Sequence, residues 1–422
     1  EAAAQVYFGK SAAQLSLGEC ALLAGLPQAP SRYSLFDHLD RAVERQKYVL
    51  NRMAADGYIT SQEAQAAFAE KIRLAARERP VNEDNGYYLE LVKKQARTLL
   101  QAPLQTAGAR IYTFLDAGQQ AVATAAVRNG VHAIVGRQVR AQSELNAIPQ
   151  GALVSFEVGS GKVRALVGGT SFAESPFDRA SQAKRPVGST FKPFVYAAAV
   201  QQGWHPDSPI DDSPITIGSW SPKNYGNRYL GQTTLAEALA QSLNGATVRL
   251  TRKVGYKAVQ KIAEQAGITA HLPDDLSIGL GSADVSLMEM TAAYQIFTGD
   301  GRYHEPCVID RVVTTNGQTI RPQARSGSRP VLDGAHRQQL RMMLHRVVTS
   351  GTAKNLADIP GIAGGKTGTT DDNRDAWFIG YDDRHLIGVW VGNDHNQPLG
   401  THASGGSVAV PIWREVMENI SK

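Results

Sequence analysis

The chain has 422 residues, 42% of them hydrophobic and 20% charged, a balance that excludes disordered and collagen-like classes and is enough for two or three globular domains. The formal net charge is +5 and the pI about 9.1, with Lys and Arg spread along the chain and no basic stripe interleaved with aromatics, which argues against a nucleic-acid partner. Two cysteines, Cys20 and Cys307, form neither a metal-ligand spacing nor a disulfide framework and are expected as buried small side chains.

Residues 1 to about 75 read as helices. Ser16-Leu-Gly-Glu19 is a capping box ahead of an apolar run that Gly25 and Pro27 stop. A second helix follows Asp40 and ends at Gly57, and Thr60-Ser-Gln-Glu63 caps a third. Charged residues broken by Pro and Gly from Ala76 to Tyr88 read as a linker. Beyond it come a helix from about Leu89 to Leu100, a strand from Arg110 to Leu115, and a helix from Asp116 to about Asn129.

Gly151 opens a third region with two β-rich runs joined by Gly159-Ser-Gly161, a hairpin signal. Then comes the stretch from Arg185 to Val200, in which Ser189 and Lys192 lie one helical turn apart where a Gly/Pro loop meets an apolar helix. A Pro/Asp/Ser-rich stretch from Gly203 to Asn227, holding Trp220-Ser-Pro-Lys-Asn-Tyr225, reads as surface; helical patterns resume at Thr234 and run to about Phe297. Strands are expected at 363–369, 376–381 and 386–392, with a closing helix around 412–420. Two strands, a helical block and three strands predict one antiparallel sheet assembled from both ends of an α+β domain.

A serine is a poor nucleophile until a base removes its proton, and a lysine serves only if its surroundings lower its pKa. The S-x-x-K pair alone is weak, and Ser181-Gln-Ala-Lys184 fits it too. Ser181 is discounted because Pro186 and Gly188 leave it in a loop, whereas Ser189 stands at a helix N-terminus, where free N–H groups favour an oxyanion. Ser242-Leu-Asn244 separates two helical runs and by itself reads as an ordinary cap. Gly364-Gly-Lys-Thr-Gly-Thr-Thr370 is no phosphate loop, because Pro360 stands where the Walker spacing needs glycine and a β-like segment follows. Lys366, Thr367 and Thr369 on a strand edge suit a carboxylate, with Gly368 giving room for a ligand backbone. Asp371, Asp372 and Asp375 read as solvated turn residues. The 10 histidines show no paired spacing, so no metal and no cofactor is expected.

In the order S-x-x-K, S-x-N, K-T-G, these elements resemble the penicillin-recognising serine enzymes. The longer runs around QAKRPVGSTFKPFVYAAA, WSPKNY, TLAEALAQSLNGATVRL and GGKTGTTDDNRDAWFIGY resemble class A penicillin-binding proteins, and residues 1–33 resemble the last block of the family 51 glycosyltransferases. The resemblance implies a glycosyltransferase remnant over 1–75, a connecting α+β region over 76–150 and a DD-transpeptidase domain over 151–422. The acidic glycosyltransferase motifs and a membrane anchor are expected upstream of Glu1, so that glycosyltransferase activity is expected to be lost. Ser189 is implied as the acylated nucleophile and Lys192 as its base. Ser242 and Lys366 are implied as relay partners, Asn244 as an orienting group, Thr367 and Thr369 as carboxylate contacts, and the N–H groups of Ser189 and Thr369 as the oxyanion hole. The implied partners are D-Ala-D-Ala stem peptides, an acceptor amine and β-lactams, on the outer face of a bacterial plasma membrane. The alternatives are a DD-carboxypeptidase, a serine β-lactamase, or a non-catalytic β-lactam sensor; no E-x-x-L-N lies between Ser242 and Lys366 to supply the deacylating carboxylate of a class A β-lactamase.

Overall fold

Both capping boxes read from the sequence form in the structure, a computed structural model that describes residues 1–30, 32–36, 38–75, 82–100, 109–140, 148–314, 316–322 and 328–420. Backbone contacts divide the chain into two compact units, Glu1–Asn82 and Glu83–Lys422. The described part of the first is helical: α1 (Ala2–Phe8), α2 (Leu17–Gly25), α3 (Leu39–Ala55) and α4 (Ser61–Ala69). Ser16 Oγ accepts from Glu19 N, and the Glu19 carboxylate returns to Ser16 N at 2.9 Å. Lys10 Nζ holds the other oxygen of Glu19 at 2.7 Å. Leu22, Phe8, Leu35 and Ala42 form one of two small cores. The helical period that buries Ala21 and Leu22 turns Cys20 outward, so Cys20 is exposed and Cys307 half-buried, contrary to the expectation for both.

The second unit opens on α5 (Asn82–Leu100) and α6 (Ala117–Arg140) and then builds a sheet from β1 (Gln150–Glu157), β2 (Val163–Val167), β3 (Gly364–Thr369), β4 (Asp375–Tyr381) and β5 (His385–Gly392). The order is β3-β4-β5-β1-β2 with every pair antiparallel, so the hairpin that begins the sheet joins the three strands that end it. Between β2 and β3 the chain supplies α7 (Lys192–Gln201), α8 (Leu235–Ala240), α9 (Asn244–Val254), α10 (Tyr256–Gln265), α11 (Leu287–Ala293) and α12 (Gly334–Thr349); α13 (Val410–Ile420) closes it.

All eight residues of β5 are buried, with α13 on one face and α11 on the other; α6 packs on β1 and β2, and α12 on β3. On the first side Trp413 of α13 meets Phe378 edge-on at 5.4 Å, a geometry worth about 0.5–1.5 kcal/mol beyond area burial. On the second, Gly388 of β5 lies so close to α11 that an added Cβ would stand 1.9 Å from Thr291 Oγ1.

Three expectations change. The segment read as a linker up to Tyr88 is already helical from Asn82, with Tyr87 and Tyr88 buried; Gly86, which suggested a break, sits under the Phe172 ring, 2.3 Å from where its Cβ would be. The Asn129-Gly130 stop does not end α6, because Gly130 is where Ile412 of α13 packs, 2.2 Å from an added Cβ. The stretch 203–227 is not wholly surface: Ile210, Asp212 and Asn224 are buried. The described residues contain no helix long and apolar enough to cross a membrane.

The Gly388→Ala substitution is expected to destabilise the second unit by about 1–3 kcal/mol, the usual cost of overpacking, seen as a lower thermal midpoint. Adding Thr291→Ala is expected to recover most of the loss, since it removes the atom the new methyl meets.

Candidate active site

Ser189 stands in a 3-10 turn, Gly188–Phe191, that runs directly into α7. Pro193 falls in the first turn of α7, where its missing N–H costs nothing. Beneath the turn Phe191, Phe194, Tyr294 and Phe297 form an aromatic cluster with centroid spacings of 5.1 to 6.0 Å, and Tyr294 Oη donates to the Thr190 carbonyl. Gly188 takes φ +52°, and an added Cβ would stand 2.8 Å from Thr369 O. Gly188 N donates to Gly281 O at 2.9 Å, and a Cβ on Gly281 would be 1.9 Å from Gly188 O. A rigid, glycine-lined turn therefore lies against the edge strand β3.

The Ser242–Asn244 loop comes from the end of α8. Ser242 adopts φ +59°, the left-handed conformation that closes a helix, with Ser242 N donating to Leu239 O and Leu243 N to Ala238 O. A serine in that region costs on the order of 1–2 kcal/mol. Asn244 then begins α9.

Lys192 Nζ, fully buried, donates to Ser242 O at 2.6 Å and Asn244 Oδ1 at 2.6 Å and lies 3.2 Å from Ser242 Oγ. Lys366 Nζ, also fully buried, reaches the same Ser242 Oγ at 2.9 Å and Thr367 O at 3.0 Å. Burial pushes the Lys366 amine down to about 7. Lys192 is lowered well below the ordinary lysine value, first by burial and then by the charge of Lys366, against which Asp212 acts. The structure thus brings Lys192, Ser242, Asn244 and Lys366 into one hydrogen-bonded group. Ser189 is half-buried, and its Oγ makes no hydrogen bond among the described residues.

Strand alternation divides the β3 side chains. Lys366 and Gly368 share the face toward the helices, and Thr367 and Thr369 take the other. The space over Gly368 is filled by Thr190 Cγ2 and Val187 O, 2.8 and 2.9 Å from an added Cβ, so this glycine lets the strand meet the Ser189 turn. Thr367 Oγ1 pairs with Thr352 Oγ1 at 2.6 Å, and Thr369 Oγ1 accepts from Gly405 N at 3.1 Å. Thr370 N bonds across to Asp375 O, so by alternation the N–H groups of Thr367 and Thr369 point out from the free edge of the sheet.

Ser181, the rejected alternative, lies in a turn with its hydroxyl given to Asp178. Asp375, expected as a solvated turn residue, is buried; it accepts from Trp390 Nε1 at 2.9 Å and Thr370 Oγ1 at 3.1 Å, and burial raises its carboxyl above the usual range. Sequence reasoning missed Thr352, Gly405, Asp212 and Asn224. Only Asn224 carried a signal, as part of the Trp220–Tyr225 run.

Residues 151–418 match the family described as penicillin binding protein transpeptidase domain, and residues 1–54 match the transglycosylase family. The chain is 33% identical to penicillin-binding protein 1A of Aquifex aeolicus (strain VF5), over 100% of this chain and 68% of that protein. It is 30% identical to penicillin-binding protein 1A of Neisseria meningitidis serogroup A, over 98% of this chain and 65% of that protein, and so spans about two thirds of these relatives' length. The fold is similar to the crystal structure of penicillin-binding protein 1A from Haemophilus influenzae, with TM-score 0.82 and 26% identity, covering 100% of this chain and 82% of that one. It is also similar to the PonA1 protein from Mycobacterium tuberculosis in complex with penicillin V, with TM-score 0.69 and 28% identity, covering 81% and 94%.

The lowered Lys366 predicts a pH signature. Between about pH 7 and the unfolded lysine value near 10.4 the unfolded chain binds more protons than the folded one, so stability rises with pH across that window. At neutral pH the buried amine costs on the order of 4 kcal/mol. Lys366→Met is therefore expected to melt higher than the wild type at pH 7, with the gap narrowing toward pH 10. A gap independent of pH would count against a proton-poor Lys366.

Proposed function

The chain belongs to the penicillin-binding protein transpeptidases, and from that premise we propose that it cross-links peptidoglycan stem peptides through an acyl-enzyme on Ser189. One observation carries the assignment of roles: two buried lysine amines share one serine hydroxyl beside the turn that presents Ser189.

Ser189 Oγ attacks the carbonyl carbon of the penultimate D-Ala while a neutral Lys192 takes its proton. Lys192 suits this role because two of its neighbours, Ser242 O and Asn244 Oδ1, accept only; its two N–H bonds go to them and its lone pair is left for a hydroxyl. Charge on the carbonyl oxygen is met by the N–H groups of Ser189 and Thr369, one at a helix start and one on the sheet edge. Ser242 Oγ accepts from Lys366 at 2.9 Å and so keeps its own proton to give to the leaving D-Ala amine, and Lys192, 3.2 Å away and now carrying the proton from Ser189, replaces it. Thr367 and Thr369, on the face of β3 opposite the Lys366 side chain, bind the terminal carboxylate, and Asn244 and the Gly368 edge hold the peptide backbone. The acceptor amine then attacks the ester carbonyl, loses a proton to Lys192, and leaves as a new amide while Ser189 recovers its hydrogen. β-Lactams follow the first half and stop there. The reaction takes place at the outer face of the bacterial plasma membrane, where the stem peptides are.

Fluorescent penicillin is expected to label the chain covalently and Ser189→Ala to abolish the label. Label that persisted, or moved to Ser181, would remove Ser189 from the scheme. Lys192→Ala is expected to slow acylation by at least about a hundredfold, the usual weight of a positioned base, in stopped-flow acylation by benzylpenicillin. A rate near that of the wild type would leave Lys192 without that role.

A further inference from the structure

Two buried polar side chains behind the Ser242–Asn244 loop have no part in the steps above. Asp212 is fully buried and Asn224 only 5% exposed. Asn224 Oδ1 accepts from Asn244 N at 2.7 Å and Gly245 N at 3.1 Å, and Asp212 Oδ1 accepts from Ala246 N at 3.2 Å. The first three N–H groups of α9, which no helix satisfies internally, therefore all end on these two side chains. Asn224 Nδ2 donates to Asp212 Oδ2 and to Arg228 O, each at 2.8 Å, and Asp212 Oδ2 also takes Leu230 N at 3.0 Å. The carbonyl next to Asn224, Lys223 O, accepts from Asn244 Nδ2 at 2.7 Å.

We propose that Asp212 and Asn224, with the Lys223 carbonyl, form a clamp that fixes which end of the Asn244 amide faces Lys192, and so act as positioning residues for acyl transfer. The polarity runs one way through the chain of contacts. A carboxylate and a carbonyl can only accept, so Asn224 must turn its Nδ2 to Asp212 and Arg228 and its Oδ1 to α9. That pins the Lys223–Asn224 backbone, whose carbonyl likewise admits only the Nδ2 of Asn244. Asn244 Oδ1 is left facing Lys192 Nζ at 2.6 Å. An amide turned the other way would set a donor against the amine, where it would compete with the reacting hydroxyl for the Lys192 lone pair. The packing behind the loop is tight, since an added Cβ on Gly245 would stand 3.1 Å from Asp212 Oδ1 and 3.2 Å from Ser213 O.

Asp212 also acts by charge. The charged groups acting on Lys192 are Lys366 from β3, which disfavours its protonation, and Asp212, which favours it. Removing the Asp212 charge thus makes Lys192 easier to deprotonate, and the acid limb of acylation moves to lower pH. A residue that only supported the fold would slow acylation at every pH and leave that limb in place.

The proposal rests on Lys192 as the base, and the test separates the two. Acylation of the whole chain by benzylpenicillin is followed from pH 5 to 9 for Asn224→Ala, Asp212→Asn, Asn224→Asp and the exchange Asp212→Asn with Asn224→Asp, with thermal melting as the check on folding. Asn224→Ala is expected to acylate at least tenfold more slowly, and Asp212→Asn to shift its acid limb downward. Asn224→Asp, which opposes two carboxylates, is expected to be worse than the exchange that pairs them again. Acylation within twofold of wild type in folded Asn224→Ala, or an Asp212→Asn acid limb that stays put, overturns the clamp. Should either single variant fail to fold, an exchange variant no better than Asn224→Asp overturns it as well. An acid limb unaltered in Lys192→Ala would instead overturn the assignment of the base.

Discussion

The Nζ atoms of Lys192 and Lys366 both lie within hydrogen-bond distance of Ser242 Oγ, and two ammonium groups cannot meet at one atom inside a protein without at least one giving up its proton. Burial and mutual repulsion act in the same direction here, so the constraint that makes the lysines costly to fold also makes an amine available near neutral pH. Ser242 completes the arrangement by taking a left-handed backbone that aims its carbonyl and its hydroxyl at Lys192 together. The site stores free energy in a desolvated cation and a strained turn, and the surrounding core supplies it.

That supply comes from a sheet buried on both faces and from close backbone approaches at its edge. Gly188, Gly281, Gly368 and Gly405 each stand where a side chain would collide with backbone of a facing segment. Together they let the Ser189 turn, β3 and the segment before α13 meet at separations that Cβ atoms would forbid. The free edge of β3 leaves the Thr369 N–H unpaired within the sheet beside the Ser189 turn, so the position at the sheet edge is itself part of the chemistry.

Much of this was legible in the sequence. The spacing of Ser189 and Lys192 and the β-rich runs at both ends of the second unit follow from local periodicity, which survives in a linear reading, and the order of the three motifs carried meaning through a resemblance to a known family. What escaped depends on partners far along the chain. Gly130 reads as a helix stop until Ile412 fills the space beside it, and Gly86 reads as a linker glycine until Phe172 covers it. Asp212, Asn224 and Asp375 look like solvated loop residues because Pro, Asp and Asn favour turns, and only the tertiary structure buries them against N–H donors. Thr352 belongs to no motif, and its contact with Thr367 arises from the way the segment after α12 crosses beside β3.

The sheet order also governs when this protein becomes an enzyme. β1 and β2 are made early, but β1 takes its other neighbour from β5, near the end of the second unit. During synthesis Ser189 therefore leaves the ribosome well before Lys366 and the strand that carries it, and the growing chain holds a hairpin whose β1 edge is still unpaired. Such long-range pairing slows folding, and although Lys192 emerges directly after Ser189, it also withholds Lys366 and the Thr369 N–H from the reactive serine until β3 has been made. The nucleophile therefore waits for a strand made much later in the chain to complete its site, an order of assembly imposed by topology.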